Sequence, residues 1–138
     1  MDEVATGIFV GTEADASDES LLEAHGIDAV VSLTHNEPET GDITRVDAPM
    51  VDGPQNSYQS FADAVQSVLT SRDDGQRVLI HCAAGSSRSP SVAATAITCL
   101  TANTLNESFN QVLERRPETD PHDALIRQAA KVIDEDSE

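Results

Sequence analysis

Cys82 and Arg88 stand six residues apart in the run Val78-Leu79-Ile80-His81-Cys82-Ala83-Ala84-Gly85-Ser86-Ser87-Arg88-Ser89-Pro90. An apolar stretch feeds the His-Cys pair and small residues follow. Arg-Ser-Pro then opens a nearly continuous apolar segment, Val92 to Leu100. A strand, a small-residue loop and a helix N-terminus in that order make an anion cradle: successive backbone N–H groups converge there and the helix dipole adds fractional positive charge. Arg88 can add a planar, bidentate grip on phosphate oxygens. The same field favours thiolate over thiol at Cys82, and a thiolate beside a bound phosphate is a nucleophile directed at phosphorus. A buried structural cysteine followed by a surface arginine is the plainer alternative. It accounts for neither the histidine before Cys82, nor the glycine three residues after it, nor the serine after Arg88.

The segment HCAAGSSRS resembles the signature loop of the cysteine-based protein tyrosine phosphatase superfamily, most nearly its dual-specificity branch. The resemblance implies that Cys82 is the nucleophile and that Arg88, with the N–H groups of Ala83, Ala84, Gly85, Ser86 and Ser87, binds the phosphoryl oxygens. It implies a general acid on a mobile loop about thirty residues before the cysteine. Asp52 precedes Cys82 by thirty, in the loop Val51-Asp52-Gly53-Pro54-Gln55-Asn56. Asp47 is the runner-up, but it lies within a strand-like run. Ser89 matches the hydroxyl that eases departure of the sulfur; it is equally placed to be a plain helix N-cap beside Pro90 at the first helical position. His81 matches a histidine that orders the loop by hydrogen bonding without touching substrate, a structural support. Gly85 marks a backbone conformation or a close approach closed to a Cβ. The stretches IFVGTEADAS to LLEAHGIDAVVSLT and the later VLERRP also resemble the family, so the likeness spans roughly residues 5–132.

Elements must carry these groups to one place. Thr6 to Val10 reads as a strand ending at Gly11, and Ser17-Asp18-Glu19-Ser20 caps a short helix through His25, closed by Gly26. Ile27 to Leu33 and Ile43 to Ala48 read as strands. Tyr58, Phe61, Ala62, Val65, Val68 and Leu69 recur at helical spacing and predict an amphipathic helix over 57–71, and Asp73-Asp74-Gly75 turns the chain into the strand before Cys82. Thr104-Leu105-Asn106-Glu107 is a capping box opening a helix to about Arg116; Asp120 and Pro121 start a last helix to about Glu135. Strands interleaved with helices predict an α/β fold: a central mixed, mainly parallel sheet of about five strands with helices on both faces. A single domain over 1–138 suits the length.

Charge sets the wider limits. Twenty-five acidic residues face eight basic ones, the excess is spread along the chain, and Lys131 is the only lysine. The pattern reads as adaptation to a high-salt cytoplasm of the halophilic, archaeal type, where screening cuts self-repulsion to a range of about 3 Å at 1 M salt. Such a field argues against nucleic acid, and it repels acidic phosphorylated substrates at low salt. No apolar segment or leader points to a membrane or to secretion. Two cysteines make no disulfide framework, and the rise of the intervening helix puts Cys99 ~16 Å from Cys82, so a reducing cytoplasm is expected. His25, His35 and His122 follow no ligand spacing, so no metal and no cofactor is expected.

The expected activity is hydrolysis of phosphotyrosine and of phosphoserine or phosphothreonine in proteins, through a cysteinyl-phosphate, by a monomer. The small neutral side chains at 83–87 favour phosphoprotein substrates over the lipid phosphates taken by lysine-bearing relatives of this loop. Hydrolysis of small phosphorylated metabolites, such as inositol phosphates or nucleotides, and a non-catalytic phosphate-binding module are the alternatives.

Overall fold

The computed structural model describes residues 1–136. Its elements are β1 (Asp2–Ala5), β2 (Ile8–Gly11), α1 (Glu13–Ala16), α2 (Glu19–Ala24), β3 (Ala29–Ser32), β4 (Thr44–Asp47), α3 (Tyr58–Asp73), β5 (Val78–His81), α4 (Arg88–Leu100), α5 (Leu105–Arg115) and α6 (Asp123–Asp136). The sheet order is β1-β2-β5-β3-β4, with only the β1–β2 pair antiparallel. This is the mixed, mainly parallel, five-stranded sheet expected from the pattern of strands and helices. The inner strands β2, β3 and β5 are buried throughout, as strands covered on both faces must be, and they carry the Val- and Ile-rich runs. β4 lies at an edge, with Thr44 and Asp47 exposed and Arg45 and Val46 half-buried.

Two apolar clusters sit on opposite faces. The larger joins Val10, Val31, Ile80, Phe61, Val68, Val92, Ile97, Val112 and Leu125 between the sheet and α3, α4, α5 and α6. The smaller joins Phe9, Ala16, Leu22, Ile27, Val30 and Leu79 beneath α1 and α2. α4 runs through the middle of the larger layer, and its Val92, Ala93, Ala94 and Ala96 are wholly buried. Small side chains let its backbone approach both the sheet and three flanking helices.

Register places the site. Gly11, His81 and Ser32 are in line across β2, β5 and β3, and Ser32 is in line with Asp47 of β4. Four parallel strands therefore end together, and the loops that follow them share one edge of the sheet, where open α/β sheets bind ligands.

Several elements depart from the sequence reading. The first strand is a hairpin: Gly7 turns at φ +76°, its N–H bonded to the Glu3 carboxylate, so residues 2–5 pair back on β2. α1 was absent from the sequence reading; a Thr12–Asp15 capping box builds it over a single turn, too short for any hydrophobic period. α4 starts at Arg88, with Ser87 as N-cap. Ser89 therefore lies within the first turn and is not the N-cap. The last helix starts at Asp123 and not at Asp120, because the Asp120 N–H is bonded to the Ser86 carbonyl at 2.6 Å and the chain is held there before it can coil.

Candidate active site

β5 delivers Cys82 to the carboxyl edge of the sheet, and the eight-residue turn from His81 to Arg88 wraps over the start of α4. The carbonyls of residues 83–87 are all tied back to the scaffold. Ala83 O accepts from Glu13 N–H at 3.3 Å, and Ser86 O from Asp120 N–H. The Arg116 guanidinium donates to Ala84 O at 3.3 Å and to Gly85 O at 2.7 Å. Ser87 O accepts from both the N–H and the hydroxyl of Ser91. Among the described residues no acceptor within the chain takes the N–H groups of Ala83, Ala84, Gly85, Ser86 or Ser87. A peptide turn whose carbonyls all face the protein leaves its donors for something else, and five converging donors suit an anion.

Gly85 makes the turn possible. Its φ is +67°, and a Cβ there would lie 2.7 Å from Gly11 O and 2.6 Å from Arg116 Nη2. Arg116 is only 4% exposed; it is also ion-paired with Asp2 at 2.8 Å and Glu118 at 3.6 Å. Sequence reasoning noted VLERRP but gave Arg116 no role, because nothing in the string says which of two adjacent arginines turns inward.

Cys82 is 2% exposed. Its Sγ lies 3.1 Å from Ser89 Oγ and accepts the Ser89 N–H at 3.4 Å. His81 is wholly buried and its Nε2 pairs with Ser32 Oγ at 2.8 Å, which fixes the turn to β3. Burial holds the His81 pKa below the ordinary range, and the nearby Arg88 charge acts in the same direction, so the ring is neutral at pH 7. Arg88 Nη1 donates to Met50 O at 3.1 Å and so touches the loop that carries Asp52.

Asp52 is exposed, yet its Oδ1 accepts the Ser87 hydroxyl at 2.6 Å. Ser87 Oγ in turn accepts the His122 N–H at 2.9 Å, so its own hydrogen is directed to Asp52. The Asp52 loop also hangs on α6. Asn56, buried, accepts the Val51 N–H at 2.9 Å and donates to Gln128 Oε1 at 2.9 Å, while Gln128 donates back to Asn56 O. Ser87's side chain, Asn56 and Gln128 were not singled out from sequence, since residues seventy-two apart carry no local signal of pairing. Asp47 lies within β4 and its carboxylate is held by Arg45 at 2.9 Å.

The structure thus gathers Cys82, Arg88, Ser89, His81 and Asp52 around one turn. A cavity of about 620 Å³ near Thr6, Arg72 and Leu100 lies at the opposite end of the sheet and contains none of them. The arrangement brings a thiol, a guanidinium and a carboxyl group to one turn.

Comparison with known proteins gives the same neighbourhood. Residues 8–133 match the profile of the dual specificity phosphatase catalytic domain. The chain is 30% identical over 126 residues to the dual specificity protein phosphatase Mpk3 of Drosophila melanogaster, covering 88% of this chain and 31% of that protein. It is 32% identical over 132 residues to human dual specificity protein phosphatase 14, covering 91% of this chain and 65% of that protein. The chain therefore spans less than two thirds of these curated relatives. The crystal structure of human DUSP28 superposes with a TM-score of 0.90 at 20% identity, over 99% of this chain and 98% of that one.

Proposed function

The chain belongs to the dual specificity phosphatase family, and from that premise we propose that it hydrolyses phosphotyrosine and phosphoserine or phosphothreonine in proteins through a cysteinyl-phosphate. The observation that carries this reading is the turn at 83–87, with every carbonyl tied back and its N–H groups left to an anion directly after Cys82.

In the first step Cys82 Sγ forms a bond to phosphorus as the bond to the leaving oxygen breaks. The Arg88 guanidinium and the turn's N–H groups hold the three remaining oxygens, where charge spreads in the transition state. Asp52 gives its proton to the departing alkoxide or phenoxide, and the Ser87 hydroxyl fixes the carboxyl group that does so. In the second step water attacks phosphorus, Asp52 takes its proton, and the sulfur–phosphorus bond breaks to release inorganic phosphate. The Ser89 hydroxyl, 3.1 Å from the sulfur, stabilises the thiolate as it leaves. His81 acts through position alone. We assign the protein to a high-salt cytoplasm on the strength of its acidic excess.

Acid-quenched turnover of p-nitrophenyl phosphate followed by mass spectrometry tests this directly. A phosphoryl group on Cys82 is expected. Cys82→Ser should still bind phosphate with no turnover. Appreciable activity in Cys82→Ser, or thiol alkylation without effect, would put the nucleophile elsewhere.

A further inference from the structure

At the end of the sheet away from Cys82, the β1–β2 hairpin, the ends of α3 and α4 and one side of α5 border the cavity of about 620 Å³. α4 runs 13 residues from Arg88 to Leu100, which sets the cavity ~18 Å from the catalytic turn. Ala5, Ile8, Ile97 and Leu100 give it an apolar lining, and Leu100 is 48% exposed. The charged lining is Glu3, Arg72 and Arg115. Glu3 is engaged within the hairpin: its Oε2 accepts the Gly7 N–H at 3.0 Å and lies 4.0 Å from Arg77 Nη1. The two guanidiniums are not neutralised. Arg72 Nη1 donates to Gln76 O at 2.6 Å, and the group packs on Gly7, where a Cβ would stand 2.5 Å from Cζ. Among the described residues its other N–H groups have no acceptor, and the Arg115 side chain has neither hydrogen bond nor ion pair. Asp73 follows Arg72 but lines a neighbouring depression and does not pair with it. Acidic side chains outnumber basic ones 25 to eight, yet the unneutralised charges in this cavity are both positive.

We propose that this cavity binds a small organic anion, its carboxylate or phosphate head held by Arg72 and Arg115 and its short apolar body laid against Ile97 and Leu100. The site is separate from the catalytic one, since no residue of the turn lines it. Its volume falls in the range of small-molecule sites, roughly 300–1,000 Å³. A guanidinium presents a planar fork of donors that matches either head. Arg72 is already fixed by Gln76 and Gly7, so little of its motion is lost when a ligand arrives. The apolar lining takes the body of the ligand out of water, and the exposed Leu100 is the side chain that gains most from the cover. Long-range repulsion from so acidic a molecule is screened beyond about 3 Å at 1 M salt, while a contact pair with either arginine lies within that range.

The test titrates the full chain, labelled at its Ala, Ile and Leu methyl groups, with octanoate, octylphosphonate or octanol at 1 M KCl and follows the methyl NMR signals. Octanoate or octylphosphonate should shift the Ala5, Ile97 and Leu100 signals saturably, with an affinity roughly three- to tenfold above that of octanol, the gain of one or two partly exposed ion pairs. The tighter of the two anions identifies the head group the site takes. Arg115→Gln should remove most of that gain and Arg115→Glu should make octanol the better ligand; both changes lie on an exposed side chain and leave the fold intact. Arg72→Gln should act in the same direction, and if it lowers the melting temperature by loosening the hairpin, the two Arg115 variants decide the matter. Equal affinity for octanol and the anions, a gain that the Arg115 variants leave unmoved, or shifts confined to Ala83 and Ala84 of the catalytic turn would overturn the site. None of these readings depends on turnover, so a failure here leaves the phosphatase reading where it stands.

Discussion

Two contacts from one residue meet the sulfur of Cys82, an N–H and a hydroxyl, and both come from Ser89 in the first turn of α4. If that hydroxyl serves the sulfur's departure, Ser89→Ala should slow hydrolysis of the intermediate more than its formation. Rapid mixing with p-nitrophenyl phosphate should then show a burst of p-nitrophenol followed by a steady rate roughly tenfold lower, the size expected for one hydrogen bond to a charged group. Asp52 makes a different prediction. Asp52→Ala should depress turnover of alkyl phosphates far more than of p-nitrophenyl phosphate, whose leaving group needs little protonation. Equal losses on both substrates would move the acid role to another residue. His81 is read through pH. Its folded pKa lies below the unfolded value of about 6.5, so the folded state holds the neutral ring. That contribution to stability is present above about pH 6.5 and is lost as pH falls through the folded value. Urea midpoints between pH 7.5 and 5 should fall more steeply in wild type than in His81→Asn, which keeps a partner for Ser32 without the titration.

At the scale of elements, the site depends on two clips. One is Arg116 at the end of α5, which holds two carbonyls of the turn and ties them to Asp2 of β1. Arg116→Met should cost about 2 kcal/mol, since it leaves buried carbonyls without donors, and should lower phosphate affinity along with the melting temperature. A variant that melts earlier yet binds phosphate as before would show that the arginine serves the fold and not the turn. The other clip joins α3 to α6. The Tyr58 hydroxyl donates to Glu135, and this bond, with lesser contributions from burial and the carboxylate charge, pushes the phenol pKa up to about 12. Because Tyr58 is the only tyrosine, absorbance at 295 nm reports it alone. Its midpoint should stand near 12 and drop back towards about 10 in Glu135→Gln. The neutral phenol favours the folded state, so this contribution is whole below pH 10 and disappears as pH rises through 12.

Across the whole molecule the governing quantity is a net charge of −17 on 138 residues. Self-repulsion of that order should make the denaturation midpoint climb as KCl is raised from 0.1 to 3 M, and full stability without added salt would remove the case for a high-salt habitat. What the sequence determined unaided was local. The apolar run into His81-Cys82, the small-residue turn, the Thr104–Glu107 capping box and the helical period of 58–69 are all written within a few residues of each other, and backbone propensity acts at that range. Four of the five strands, the α/β layering and the identity of Cys82, Arg88 and Asp52 as candidates were legible for that reason, whereas the strand at 2–5 and the order of strands in the sheet were not. The tertiary structure alone decided which groups meet across long separations. Arg116 turned inward rather than Arg115, Ser87 became the partner of Asp52, Asn56 paired with Gln128, and Asp120 was held at Ser86 so that α6 began late. Each of these joins polar groups, of backbone or side chain, that had to find a partner, and the partner available is set by packing, not by position along the chain.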